Sequence, residues 1–461
     1  MSKRLPNWQE RYQAKFIITV RLRVLDRPGA LAKVLDAVAD AGAMVGDIRI
    51  VGADRQHKIR DIQLFLVEEG HLDLAIDAIK ALGEVELLSI SDDVLEIHRH
   101  GAIETEARVP LNTMMDLRMV YTPGVASVCE LIAEKPEQAW KYTSKGNRIA
   151  IVTNGTAVLG LGDIGPLASL PVMEGKAAIL AHFVKVSADP ILLDTKDPDD
   201  IVDIVSKLAS YYGAIQLEDI AAPACFEIEE KLQVRLDIPV FHDDQHGTAT
   251  VVVAGLINAL KQTNRSAGEC NGVILGAGAA GFAIARFLID FGIGDVIVCD
   301  SVGAIHRGRT ERMNPWKVRL AEITNTHDKQ GPLAEVIKGR NLFIGVSRPK
   351  LVSQAMVASM ADDPIVFALA NPVSEITVED ALDAGAAVAV DGRGMNNALA
   401  FPGIFRGALD VRARRITPAM KTAAAEALAS AASEQLLPDM LDKSVHQRVA
   451  AAVAKAWQSD Q

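Results

Sequence analysis

The sequence predicts an α/β protein built in three parts, and three observations carry that prediction. Residues 16–99 alternate strand-like and helix-like runs in the order βαββαβ. Residues 271–300 read as strand, glycine turn, helix and strand, and further strands separated by helical runs recur to about residue 392. Between them lies a stretch of mixed helix and loop. The expected boundaries are 16–99, 100–245 and 246–440, with a C-terminal helix extending to 461.

In the first part FIITVRLRV alternates apolar and charged residues like a half-buried strand, DRPG turns the chain, and ALAKVLDAVADAG is an amphipathic helix ended by Gly42. MVGDIRIVGADR and HKIRDIQLFLVEE are strand-like about a polar turn, LDLAIDAIKALG is a second helix, and VELLSISDDVLEIH closes with strand character. The run DRPGALAKVLDAVADAGAMVGDI resembles the opening of an ACT domain, a regulatory fold that often binds amino acids. Gly29 stands at the turn where such domains take their ligand, although a tight turn would by itself call for glycine there.

Composition narrows the function. Of 461 residues 49% are hydrophobic and 23% charged, as in globular proteins, and 48 basic against 59 acidic residues leave a net charge of −11. That charge argues against nucleic acid or an anionic membrane as the main partner. Cys129, Cys225, Cys270 and Cys299 are scattered without a CxxC pair, so they read as small core residues of a reducing compartment rather than zinc ligands. The polar start MSKRLPNWQERYQAK does not read as a signal peptide, and the apolar run Ala249–Leu260 is too short to span a bilayer. A cytoplasmic location is expected.

The third part carries the clearest binding motif. Gly276, Gly278 and Gly281, with Ala279 and Ala280 between them, follow the apolar strand VIL and open an apolar helix. The first glycine permits the turn, the second lets backbone approach a pyrophosphate, and the third allows helix and strand to pack closely. N–H groups at the helix start then hold the phosphates. Asp300 ends the next strand, where a carboxylate accepts hydrogen bonds from a ribose and favours NAD; Arg307 and Arg309 nearby could instead serve NADP.

The middle part supplies the chemistry. Glu218–Asp219 and Asp243–Asp244 each follow a short apolar run, and adjacent carboxylates repel unless a hard cation, magnesium or manganese, joins them; helix capping is the plain alternative. GLGDIGPLASLPVMEGK, residues 160–176, is so rich in glycine and proline that it reads as a long loop ending in Lys176. A lysine beside a dication can act as a base once its pKa falls.

The motifs YTPGVA, GLGDIGP, PVMEGK, EDI, HDDQHGTA, GAGAAG, ALANP and NNALAFPGI, in this order over residues 121–404, resemble the malic enzyme family. The resemblance implies a malic enzyme N-terminal domain followed by a Rossmann-type NAD(P)-binding domain, and oxidative decarboxylation of malate to pyruvate and carbon dioxide. It makes Lys176 the base, Tyr121 the general acid, and Glu218, Asp219 and Asp244 the metal ligands. Asp243 becomes a supporting carboxylate of the catalytic set, and Asn371 and Asn397 substrate contacts, Asn371 also bordering the cofactor. One departure stands out: animal-type members carry an arginine before LGLGD that grips malate, and here Ala157–Val158 occupy that place. Asn371, Asn397, backbone N–H groups or Arg118 must then hold the carboxylates.

Two other readings compete with this one. A dehydrogenase that stops at the keto acid needs the same residues without carbon dioxide loss, and a silent metabolite-binding regulator would need none of them. An even-numbered homo-oligomer, dimer or tetramer, and a small-molecule effector at the N-terminal module complete the expectations.

Overall fold

The computed structural model describes residues 16–67, 70–433 and 435–460, so the polar N-terminal stretch discussed above lies outside the described residues. The chain divides into two compact units, one ending at Glu104 and the other beginning at Thr105.

In the first unit β1 (Phe16–Leu25), β2 (Met44–Ala53), β3 (His57–Leu66) and β4 (Val85–Asp92) form an antiparallel sheet in the order β2-β3-β1-β4. Ile18, Val20, Leu22 and Val24 alternate with Thr19, Arg21 and Arg23, and their buried face packs with α1 (Ala30–Asp40) and α2 (Gly70–Ala81) through Val34, Val38, Ala75 and Ile79. The expected βαββαβ order is present. Its end differs: β4 stops at Asp92, whose carboxylate accepts the Leu95 N–H and caps a short helix, α3 (Asp93–Ile97).

The second unit contains two sheets. After two exposed helices, α4 (Met114–Val120) and α5 (Val125–Glu134), strands β5 (Arg148–Thr153), β6 (Ser187–Leu192), β7 (Ala214–Leu217) and β8 (Val240–His242) make a parallel sheet in the order β6-β5-β7-β8. Its helices include α6 (Pro166–Val184), α7 (Pro198–Leu208), α8 (Ala224–Arg235) and α9 (Asp243–Gln262). The other sheet holds β9 (Asn271–Leu275), β10 (Asp295–Asp300), β11 (Gly303–Ala304), β12 (Leu342–Gly345), β13 (Ile365–Ala368) and β14 (Val388–Asp391). Its order is β11-β10-β9-β12-β13-β14, parallel except for the β10–β11 hairpin. Direction reverses on either side of β9, which puts a ligand crevice at the carboxyl ends of β9 and β12. Helices α10 (Ala279–Asp290), α11 (Pro315–Ile323), α12 (Phe401–Asp410), α13 (Pro418–Ala431) and α14 (Lys443–Ser459) complete the unit.

Four expectations are corrected. The segment 160–176 is a loop only as far as Gly165; Pro166 then opens a 19-residue helix that runs through Pro171 and Gly175 to Val184. Proline at a first helical position costs no hydrogen bond, and Ser169, Met173, Ala177, Leu180 and Val184 recur every three to four residues on the buried side. That helix is long and apolar enough in composition to cross a bilayer, but it packs on β5, β6, α12 and α14. Helix α9 starts at Asp243, not after the Asp243–Asp244 pair as the capping alternative requires. Cys225, Cys270 and Cys299 are buried as expected, whereas Cys129 is exposed. Finally, a second C-terminal helix, α14, follows the expected one, anchored by Val445, Val449 and Val453 at four-residue spacing.

The turn after β9 depends on its glycines. A Cβ at Gly281 would lie 1.8 Å from the Gly276 carbonyl oxygen, whereas one at Gly278 would meet nothing within 4 Å. Gly281→Ala is therefore expected to cost about 1–3 kcal/mol and lower the melting temperature, while Gly278→Ala leaves it in place; thermal denaturation of both variants checks this.

Candidate active site

Parallel strands end where their ligands bind, and the sheet β6-β5-β7-β8 delivers the acidic pairs at that edge. Strand β7 stops at Leu217 and is followed at once by Glu218 and Asp219; β8 stops at His242, and Asp243 and Asp244 form the first turn of α9. The capping alternative fails: the positions that precede α8 and α9 are Pro223 and His242, neither with a side-chain capping bond, although the helix dipole favours Asp243 and Asp244 in the first turn of α9. Asp219 adopts φ of 52°, a left-handed conformation uncommon for a residue with a side chain, and its N–H donates to Asp244 Oδ2 at 2.9 Å.

Lys176 enters this cluster from the middle of α6. Its ammonium pairs with the Asp243 carboxylate, lies 3.0 Å from Glu218 Oε1 and 3.4 Å from Asn397 Oδ1, and sits 4.6 Å from the centre of the Phe401 ring. Its side chain is 11% exposed and those of Glu218 and Asp243 3% and 0%. Room for Asp243 comes from Gly247 one turn on, where a Cβ would stand 1.9 Å from Asp243 Oδ1.

Glu218, Asp219 and Asp244 each offer an oxygen within 4.8 Å of the others. Burial, reinforced for each by its acidic neighbours, raises Glu218 to about 7, Asp219 to about 8, Asp243 to about 7 and Asp244 to about 6. Burial alone would push Lys176 toward the neutral amine, but Asp243, Glu218 and Asp244 outweigh it and hold the ammonium charged. Asp219 Oδ2 and Asp243 Oδ1 are buried without a hydrogen-bond partner. Three converging carboxylates with an orphaned oxygen suit a hard divalent cation such as magnesium or manganese.

The cofactor motif is in place at the reversal of the second sheet. Gly276 has φ of 122°, and a Cβ there would lie 2.6 Å from the Val346 carbonyl oxygen, so only glycine suits the turn. Gly278 is exposed and uncrowded, open to a ligand, and Ala279 and Ala280 begin α10. Asp300 is at the end of β10, with one oxygen accepting the Val302 N–H at 2.9 Å and the other held by Arg309 and Lys317, both at 2.6 Å. Arg309 thus faces Asp300 itself, while Arg307 donates to the Glu322 carbonyl.

The remaining expected residues divide. Asn397 joins the Lys176 cluster directly. Asn371 borders the glycine loop: its carbonyl oxygen lies 2.7 Å from where a Cβ of Gly160 would be. Tyr121, ending α4, is 65% exposed, and no hydrogen bond or ring contact among the described residues joins it to Lys176. Arg118 is likewise exposed on α4. The sequence reading named neither Phe401 nor Gly247; both lie inside quoted motifs, AFPGI and HGTA, which were the available signals.

Comparison with known proteins agrees with this geometry. Residues 100–233 match the malic enzyme N-terminal domain, and residues 245–395 and 385–458 match the malic enzyme NAD-binding domain. The chain is 45% identical over 450 residues to the NAD-dependent malic enzyme of Geobacillus stearothermophilus, covering 95% of this chain and 94% of that protein. It is 50% identical over 382 residues to a bifunctional malic/malolactic enzyme of Bacillus subtilis, covering 80% of this chain and 93% of that one. The crystal structure of an NAD-dependent malic enzyme from Thermotoga maritima superposes with a TM-score of 0.77 at 42% identity, covering 79% of this chain and 99% of that one. With domain matches across nearly all of the second unit and this identity over almost its full length, the chain belongs to the malic enzyme family, the decarboxylating malate dehydrogenases.

Proposed function

We propose that the cluster around Lys176 oxidises and decarboxylates malate to pyruvate and carbon dioxide, reducing NAD. The observation that carries this reading is the convergence of Lys176, Asp243 and Asn397 on the three carboxylates Glu218, Asp219 and Asp244. A silent regulator would have no use for that assembly.

Glu218, Asp219 and Asp244 would hold a magnesium or manganese ion, which when bound polarises the substrate hydroxyl and then the ketone oxygen. Engagement of Glu218 and Asp244 in ligation withdraws two of the three carboxylates that keep Lys176 charged, leaving burial to favour the free amine. Lys176 would take the hydroxyl proton, with Asp243 holding Nζ in place and sharing that proton, and NAD bound at the glycine turn would supply the hydride acceptor. Asn397 orients the same nitrogen and faces substrate. Asn371, next to the glycine loop, and the N–H groups of that loop replace the missing arginine as partners of a malate carboxylate. Loss of carbon dioxide leaves an enolate, which Tyr121 protonates.

Tyr121 lies at the end of an exposed apolar helix: Met114, Met115, Leu117, Met119 and Val120 are all at least 41% exposed. Covering such a surface is a reason for copies to associate, and an even-numbered homo-oligomer would bury it. In the cofactor crevice Asp300 meets the ribose hydroxyls and favours NAD, while Arg309 and Lys317 are positioned to accept the 2′-phosphate of NADP if Asp300 releases them. The first unit, as an ACT-like module, would bind a small effector such as an amino acid beside Gly29, whose φ of 80° leaves open space at the start of α1. The net charge of −11 and four unpaired cysteines, three of them buried, suit the cytoplasm.

Lys176→Ala is expected to lower kcat by about 10²–10⁴ with NAD binding intact, measured by steady-state kinetics and by fluorescence titration; full retained activity contradicts the base role. Asp219→Asn should weaken manganese binding by more than the about 100-fold that outer-shell changes cost, measured by calorimetry; unchanged affinity removes Asp219 from the ligand set. Calorimetric titration of the whole chain with the common amino acids is expected to find a binder whose heat is lost in Gly29→Val. Silence across the set would make the first unit an assembly module.

A further inference from the structure

Behind the acidic cluster, on the far side of the turn that carries Asp243 and Asp244, is a cavity of about 350 Å³ enclosed by α8, α9, α10, α11 and α13. One wall is aromatic: the Phe226 ring lies 4.7 Å from that of Phe282 and 4.8 Å from that of Trp316. The floor is polar and fully engaged. Glu229 accepts the His242 N–H at 2.9 Å, the Gln245 side-chain amide at 3.0 Å and faces His246 Nε2 at 3.0 Å, so both of its oxygens are engaged. Glu230, at the edge, is paired with Arg319 at 2.8 Å.

The two cations on this wall are not so engaged. Among the described residues Lys421 Nζ makes one hydrogen bond, to His246 Nδ1 at 3.3 Å, and burial lowers its pKa against the pull of Glu229 and Asp290. The Arg286 guanidinium sits 5.9 Å from the centre of the Phe282 ring. Among the described residues neither forms an ion pair with a carboxylate. Asp290, exposed and four residues beyond Arg286 on α10, is the nearby acid that an incoming anion must avoid.

We propose that this cavity is a second ligand site, taking a small organic anion with a planar body. The carboxylate or phosphate meets Lys421 and Arg286 and the planar part packs against the aromatic wall, face to one ring and edge to the other, since Phe282 and Trp316 stand at 85° to each other. The site is also connected to the active centre. Lys421, His246 and Glu229 form a chain of hydrogen bonds that ends on the backbone N–H of His242, the residue before Asp243. An anion that draws Lys421 away from His246 acts on the turn holding Asp243 and Asp244, so occupancy changes the apparent affinity for malate.

Benzoate is a suitable probe, with benzylamine as its cationic counterpart, each titrated calorimetrically into the full chain loaded with manganese and NAD. Benzoate is expected to bind and benzylamine not to; Arg286→Met and Lys421→Met should each weaken benzoate about tenfold or more. Saturating benzoate should shift the malate KM about fivefold in the parent chain, and Arg286→Met should keep the parent kcat while losing that shift. Because Arg286 touches none of the residues around Lys176, unchanged benzoate binding in both variants would mean that benzoate occupies the malate site alone and would overturn the proposal. Equal binding of benzylamine, no benzoate binding, or binding that leaves KM unmoved overturns it as well.

Discussion

Four carboxylates and one lysine are crowded together at one sheet edge, with Asp244 the one carboxylate of the four whose side chain is substantially open to solvent, and the rest of the second unit is arranged around that constraint. Like charges brought together in a low-dielectric interior are costly, and the cost appears as carboxyl groups raised to about 6–8. Lys176 relieves part of it by pairing with Asp243 and Glu218. Two oxygens, on Asp219 and Asp243, are left with no partner. A site that folds with this much unsatisfied negative charge is prepared for a dication, and the same charge explains how the lysine can be held charged in one state and released in another.

The fold meets the constraint with rigid elements. Glu218 and Asp219 leave the end of one buried strand, Asp243 and Asp244 leave the next and enter a helix, and Lys176 and Phe401 come from two further helices that pack together. Gly247 gives Asp243 its space and Gly281 closes the dinucleotide turn, each by the absence of a single atom. Glu229 supports the acidic turn from behind by taking the His242 N–H, which links catalytic geometry to a cavity that the reaction itself does not use.

Much of this was legible in the sequence, and the misses have physical causes. Carboxylate pairs directly after short apolar runs pointed to the acidic cluster because parallel strands place such residues at one edge. The glycine motif was legible because its context, strand before and helix after, is local. The element carrying Lys176 was misread as a loop: counting Gly175 and Pro171 as breakers ignores that packing against β5 and β6 can hold a helix together through both. Phe401 and Gly247 were not singled out because their roles exist only across elements remote in the chain. Tyr121 was named from its motif, yet it stands on an exposed helix pair, since whatever covers that surface is not written in local sequence.

The central claim is that buried, partly protonated carboxylates await a dication, and proton release on metal binding tests it most directly. Manganese titrated into the full chain near neutral pH, in buffers of differing ionisation enthalpy, should displace protons in a number that falls as pH rises past the raised carboxyl values, with affinity rising over the same range. Manganese binding that releases no protons and whose affinity is independent of pH between 6 and 8 would contradict it.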